Sequence, residues 1–319
     1  MKYSMGIDLG GTHIGFAFLD ECFTLIQKTS IDTPKGVTGP VLADTIAASA
    51  KEFANTCNID LSDLQWIGIG APGHVDSDTG ELIFACNLGL SNSPLAALLE
   101  ERTGCKVYIG NDANAAAYGE AMVGAAKGAS SSVTVTLGTG IGMGIVFGNK
   151  IHVGYHFCAG EGGHMVIVAG GRACNCGRRG CFETYASATG LIRSTKEAME
   201  QHPESLLWKL CGGNIEKVNG RTAFDAKEQG DTVAVQVVDE YIYYLACGIV
   251  NIINLLEPEI ICIGGGISAQ GEALMEPLRK LVKQEQYSRL EQTTKLVAAN
   301  LGNDAGLIGA ALLGCQYQE

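Results

Sequence analysis

A chain of 319 residues, 46% hydrophobic and 18% charged, carries more apolar side chain than one compact core usually organises, so two lobes with a central cleft are expected. Its net charge of -12 repels nucleic-acid phosphates and no Lys/Arg run offsets it, which excludes nucleic acid as the expected partner and leaves a small molecule. Met1-Lys2-Tyr3-Ser4-Met5 lacks the basic and long apolar regions of a secretion signal, and apolar stretches such as 249–256 are broken by Asn251 and Asn254, so a cytoplasmic protein without a membrane span is expected, its 12 cysteines mostly reduced and buried.

In chain order, residues 5–18 read as a hairpin: a β-type run, then Leu-Gly with small residues, then a second apolar run. Val41, Leu42, Ile46, Ala50 and Phe53 follow at helical spacing, and Trp66 to Ala71 is a buried-strand run that ends at Pro72-Gly73. Ser93-Pro94 reads as N-cap and first residue of a helix with Gly104 just past its end; Val107 to Gly110 is a short strand, and Asp112 opens an alanine-rich helix through Met122.

Residues 133–147 repeat the design of 5–18, with Thr136-Leu137-Gly138-Thr139-Gly140 standing where Asp8-Leu9-Gly10-Gly11-Thr12 stands in the first. Two such hairpins predict a duplicated α/β domain in which a loop from each half faces a shared ligand. A glycine- and cysteine-rich loop region follows at 154–184, then helices, the longest from Thr232 to Leu256 and stopped by Pro258. Glu259 to Ile263 is a strand, Gly264-Gly265-Gly266 a turn, Glu272 to Lys283 a helix, Lys295 to Ala298 a last strand and Asp304 to Cys315 a small-residue helix. No low-complexity linker intervenes, so hinge motion is expected at packed crossings.

The strongest metal signal is His164 followed by Cys174, Cys176 and Cys181, a C-x-C-x4-C cluster with glycines to turn the backbone. One imidazole and three thiolates complete a tetrahedral zinc shell, which would be structural because no position is left for water. A redox pair among the cysteines is the competing reading. Phosphate handling falls to Gly10-Gly11-Thr12, Gly138-Thr139-Gly140 and Gly264-Gly265-Gly266, where missing side chains let N–H groups approach anionic oxygens. None fits the G-x-x-x-x-G-K-[ST] loop, and the spacing of Gly138, Gly140 and Gly142 does not open a helix within a βαβ unit, so neither a P-loop nor a dinucleotide fold is expected.

Asp8-Leu9-Gly10-Gly11-Thr12, Asn111-Asp112, Glu161-Gly162-Gly163-His164, the cysteine cluster and Gly264-Gly265-Gly266 together resemble the ROK family of bacterial sugar kinases and related repressors, over nearly the whole chain. The resemblance implies the duplicated actin-like (ribonuclease H-like) ATPase fold: a smaller α/β lobe over 1–112, completed by a C-terminal helix at 304–319, and a larger one over 113–303 with the zinc loop. It implies ATP-dependent phosphorylation of a hexose 6-hydroxyl, with glucose as the expected substrate and N-acetylmannosamine, N-acetylglucosamine, fructose or allose as the alternatives to it. A sugar-responsive repressor is the non-enzyme alternative, disfavoured because the first strand begins near residue 3 with no room for a helix-turn-helix; a zinc hydrolase would need an open metal position.

By the same resemblance Asp112 is the general base, with an N-cap role as its plain alternative, and its place at a helix start favours the ionised form. Asp8 corresponds to the Mg²⁺-linked aspartate, with a turn-forming role as its alternative. Gly73, Asn87, Asn111, Asp112, Glu161, His164 and Glu183 correspond to sugar-contacting positions; Asp8, Gly10, Gly11, Thr12, Gly138, Thr139, Gly140, Gly264, Gly265 and Gly266 to the ATP side. His164 would act twice, one ring nitrogen on zinc and the other toward the sugar. Leu90 stands where many family members have an aromatic residue. A homodimer or homotetramer is implied.

Overall fold

The computed structural model describes residues 2–290 and 293–318, and the chain groups into two compact units. The first comprises Met1–Ser132, Gly144–Gly160 and Leu301–Glu319, the second Val133–Met143 and Glu161–Asn300. The terminal residues Met1 and Glu319 of the ranges expected from sequence lie outside the described residues.

In the first unit, β1 (Tyr3–Leu9), β2 (His13–Leu19) and β3 (Leu25–Asp32) form an antiparallel meander. Helix α1 (Gly39–Thr56) leads to β4 (Leu64–Ala71), which joins β1 in parallel. Three short strands, β5 (His74–Asp76), β6 (Glu81–Ala85) and β7 (Leu90–Ser93), make a separate antiparallel sheet that the sequence reading did not resolve. Helix α2 (Leu95–Thr103) then brings β8 (Val107–Asn111) parallel to β4, and α3 (Asp112–Met122) follows without a gap. The resulting order is β3-β2-β1-β4-β8.

Because successive side chains of a strand point to opposite faces, the central strands divide their residues between two cores. Met5, Ile7 and Leu9 pack with Leu42, Ile46, Ala50 and Phe53 of α1 and with Leu95 and Leu99 of α2. Val41, counted with that face from its spacing, is 46% exposed instead, since its position carries it past the edge of the buried stripe. Ser93 also departs from expectation: Pro94 holds the N-cap position of α2 and Leu95 is its first helical residue.

The opposite face presents glycine. Gly6 and Gly68 are partners across β1 and β4, and a Cβ at either would lie 2.1 Å from the Leu307 carbonyl oxygen or 1.8 Å from that of Ala310. Helix α10 (Ala305–Leu312) therefore crosses the sheet backbone to backbone, where any side chain would hold it off. Its other side meets α3, where a Cβ at Gly309 would lie 1.7 Å from the Ala115 oxygen. The buried carboxylate of Glu120 completes the join, accepting from the N–H groups of Ala125 and Leu301 at 2.8 Å each. These contacts group α3 with the first unit, past the point near Asp112 where the sequence reading divides the chain.

The second five-stranded sheet has β9 (Ser131–Leu137), β10 (Ile141–Phe147), β11 (Lys150–Ile151), β12 (Ile260–Gly264) and β13 (Lys295–Ala298), ordered β11-β10-β9-β12-β13. In each sheet the third, second, first, fourth and fifth strands lie side by side, the internal duplication expected of the actin-like α/β fold. Five helices sit between β11 and β12: α4 (Glu183–Ala186), α5 (Ala188–Gln201), α6 (Leu206–Leu210), α7 (Thr222–Glu228) and α8 (Thr232–Leu256); α9 (Glu272–Glu285) precedes β13. By length and composition α8 would span a bilayer, but 61% of its most apolar stretch is buried within the protein, so its apolar residues are accounted for by packing.

Candidate active site and metal centre

In the first unit, Asp8, Gly70 and Gly110 lie in one row across the parallel strands, and the strands end there. Asn111 closes β8 and caps α3: its Oδ1 accepts from the N–H groups of Ala113 at 2.9 Å and Asn114 at 3.1 Å, while its Nδ2 donates to the Gly73 carbonyl at 3.2 Å. One side chain thus fixes both the start of the helix and the turn after β4. Asp112 is the first residue of that helix, and its own Oδ1 accepts from the Ala113 N–H at 2.8 Å. The cap is Asn111, so the plain N-cap role considered for Asp112 falls to its neighbour. The helix packs close to Gly70, where a Cβ would stand 3.3 Å from that of Ala115.

Burial, and then the negative charge of Asp112, push the Asp8 carboxyl up from 3.8 to about 6. The turn that follows it is held by the Gly10 N–H donating to the His13 oxygen at 3.0 Å, and Gly11 packs on Asn87, whose Cβ would be 3.3 Å from a Cβ at Gly11. Asn87 is exposed in a single 3-10 turn. Gly73 has φ of 88° and lies against the Phe84 oxygen, 2.2 Å from where a Cβ would stand, so only glycine takes that turn. Leu90 is buried in the apolar core of the same unit.

The sequence reading missed the loop 33–38. Thr33 clamps it to the hairpin turn, donating its Oγ1 hydrogen to the Gly10 oxygen at 2.7 Å and its N–H to the Thr12 oxygen at 2.9 Å. The signal was present as Thr33-Pro34-Lys35-Gly36, turn residues directly after a strand.

In the second unit the two remaining glycine turns come together. Gly265, at φ 81°, fits against β9 so closely that a Cβ would meet the Leu137 N at 2.5 Å, one residue before Gly138. The Gly138 N–H donates to the Gly140 oxygen at 3.0 Å, and the Gly138 oxygen accepts from the Ala188 N–H at 2.9 Å. A Cβ at Gly140 would lie 2.6 Å from Glu183 Oε2, so this turn touches a carboxylate expected on the sugar side.

Glu183 also belongs to the third cluster. His164 Nδ1 is 3.6 Å from Cys174 Sγ and 3.6 Å from Glu183 Oε1, while its Nε2 faces Glu161 Oε2 at 3.8 Å. The ligand atoms of His164, Cys174, Cys176 and Cys181 all lie within 4.8 Å of one another. Cys176 and Cys181 stand 3.6 Å apart as free thiols, near the edge of about 3.8 Å that a tetrahedron with zinc–sulfur bonds implies. Burial pushes the Cys174 thiol up to about 12, a cost that a bound cation would offset. The donor set and its spacing fit zinc better than a redox pair.

Glycines bend the loop to this shape: Gly177 and Gly180 have φ of 89° and 82°, and a Cβ at Gly180 would lie 1.7 Å from the Val168 oxygen. Phe182 is buried against Gly248 of α8, and Arg172 ties the loop to α5 through Glu197 at 2.8 Å and to α4 through the Thr184 oxygen at 3.2 Å.

The chain matches the sequence pattern of the ROK family over residues 4–316. The chain belongs to the ROK family. It is 40% identical over 319 residues to a glucokinase of Halalkalibacterium halodurans, covering all of this chain and 96% of that protein. A crystal structure of a ROK family glucokinase from Streptomyces griseus in complex with glucose and AMPPNP superposes with a TM-score of 0.82 at 35% identity, over 98% of this chain and 99% of that one. A xylose repressor of Caldicellulosiruptor bescii is 30% identical over 96% of this chain and 76% of its own length. Among ROK proteins, then, this chain is more similar to these glucokinases, and matches more of their length, than it does the repressor.

Proposed function

We propose that this chain is an ATP-dependent hexose kinase that makes a sugar 6-phosphate, glucose being its first substrate. The observation that carries the reading is the setting of Asp112, at the start of a helix capped by Asn111 and beside the raised carboxyl of Asp8, in a chain with full-length likeness to glucokinases. Asp112 accepts the proton of the 6-hydroxyl as its oxygen attacks the γ-phosphorus and ADP departs. Because phosphoryl transfer depends chiefly on alignment and charge neutralisation, the proton moves late and a carboxylate suffices as base.

The sugar is held by Gly73, Asn87, Asn111, Asp112, Glu161, His164 and Glu183. Asn111 spends its oxygen on the helix and one N–H on Gly73, which leaves its second N–H for a hydroxyl. Gly10, Gly11 and Thr12 with Gly138, Thr139, Gly140, Gly264, Gly265 and Gly266 serve the nucleotide, and Asp8 is suited to a hydrated magnesium ion. Zinc, held by His164, Cys174, Cys176 and Cys181, would take Nδ1 and so leave the His164 proton on Nε2, the nitrogen that faces Glu161. The identity of 40% to a glucokinase against 30% to a xylose repressor favours a kinase. The family resemblance supports a cytoplasmic homodimer or homotetramer, and sedimentation of the pure protein tests the oligomeric state.

Steady-state rates with ATP and Mg²⁺ across glucose, N-acetylmannosamine, N-acetylglucosamine, fructose and allose test the proposal. Glucose is expected to give the highest kcat/KM. N-acetylmannosamine ahead of glucose would overturn the substrate, and no transfer to any hexose would overturn the kinase.

A further inference from the structure

The hairpin turn of the first unit borders a pocket of about 410 Å³, lined by Gly11, the loop 33–38 and Asn87 to Gly89. Lys35 is the only charged residue in that lining, and among the described residues it makes no ion pair or hydrogen bond. The loop that carries it is fixed in place, because Thr33, two residues before, is bonded to both Gly10 and Thr12. A free lysine is out of character here: the chain carries a net charge of -12, and the carboxylates of Asp8 and Asp112 repel each other in the same unit. Its neighbours narrow the ligand further. Gly11 belongs to the turn proposed for the nucleotide and Asn87 to the residues proposed for the sugar, so an anion bound in this pocket would lie beside both.

We propose that this pocket is the subsite of the migrating phosphoryl group and that Lys35 binds it, first as the terminal phosphate of the nucleotide and then as the 6-phosphate of the product. The inference rests on the kinase reading. No bond to Lys35 forms or breaks; its ammonium offers three donors and one positive charge to oxygens whose charge redistributes during transfer, which Asp8 and Asp112 cannot do. An ammonium aimed at the group in transit acts on the rate, while a plain sugar contact would act on the glucose KM alone.

Lys35→Ala, Lys35→Gln and Lys35→Arg are compared with the wild type by initial rates, product inhibition and melting temperature. For Ala and Gln, kcat is expected to fall about 10- to 100-fold, with glucose KM changed less than about twofold and inhibition by glucose 6-phosphate weakened about tenfold. Arg recovers most of the rate, and all three melt with the wild type because the lysine is exposed. A kcat within about twofold of wild type, with product inhibition unchanged, would overturn the inference. So would a loss confined to the KM of glucose or of ATP, which would make Lys35 a contact of one substrate only. An active wild type with an indifferent Lys35→Ala sinks this inference alone; a wild type that phosphorylates no hexose sinks the kinase reading and takes this one with it.

Discussion

Asp112 raises the pKa of Asp8. Burial is the larger cause and the neighbouring carboxylate the second, and together they carry the Asp8 carboxyl from 3.8 to about 6. A buried carboxyl beside a second carboxylate is costly to ionise, and the proposed magnesium and Lys35 both answer that charge.

The sign of the pH effect on stability follows. Asp8 binds its proton more tightly folded than unfolded, so its contribution is fully present below pH 3.8 and is lost as pH rises through about 6. Asp8→Asn removes the loss, so the variant is expected to gain on the wild type between those values and stay ahead above them, by about 1–2 kcal/mol after solvent screening. Its phosphoryl-transfer rate should fall even so. Urea unfolding at pH 4 and pH 8 checks the difference; equal stability differences at the two values would remove the raised pKa of Asp8.

Asp112→Asn should still bind glucose, with KM changed by no more than a few-fold, and lose about 100- to 10,000-fold in kcat. The amide keeps the size of the side chain, and the helix keeps its cap because the capping residue is Asn111. Near-normal turnover would take the role of base away from Asp112.

Cys176→Ala should release about one equivalent of zinc per chain, measured by atomic emission, and weaken glucose binding, since Glu161, His164 and Glu183 lean on the same cluster. A metal-free variant that bound glucose as well as the wild type would limit the cluster to folding.

Gly309→Ala places a methyl group 1.7 Å from the Ala115 oxygen, so α10 and α3 must separate. A loss of about 1–3 kcal/mol in unfolding free energy is expected, together with reduced kcat because α3 carries Asp112. Thermal melting and initial rates check both; an unchanged melting temperature would mean the crossing is looser than described.

Much of the site was legible in residue types. The cysteine cluster, the paired hairpins and the Asn-Asp pair were visible because their chemistry depends on short spacings along the chain, and Thr232–Leu256 and Lys295–Ala298 keep the bounds their periodicity predicts. The strands β5 to β7 were not visible, because strands of 3 to 5 residues carry too few alternations to stand out. Nor did spacing place Val41, since helical periodicity gives a stripe and not the width that its neighbours cover.

The sequence by itself determined the duplicated α/β class, the family and the chemical groups available, because local patterning and side-chain type are properties of the chain. Only the tertiary structure decided that Asn111 is the cap, that burial and a second carboxylate raise Asp8, and that Lys35, beside the hairpin turn, has no ion pair or hydrogen bond among the described residues. Burial, electrostatic neighbours and the absence of a partner arise from residues far apart in the chain, and no local pattern encodes them.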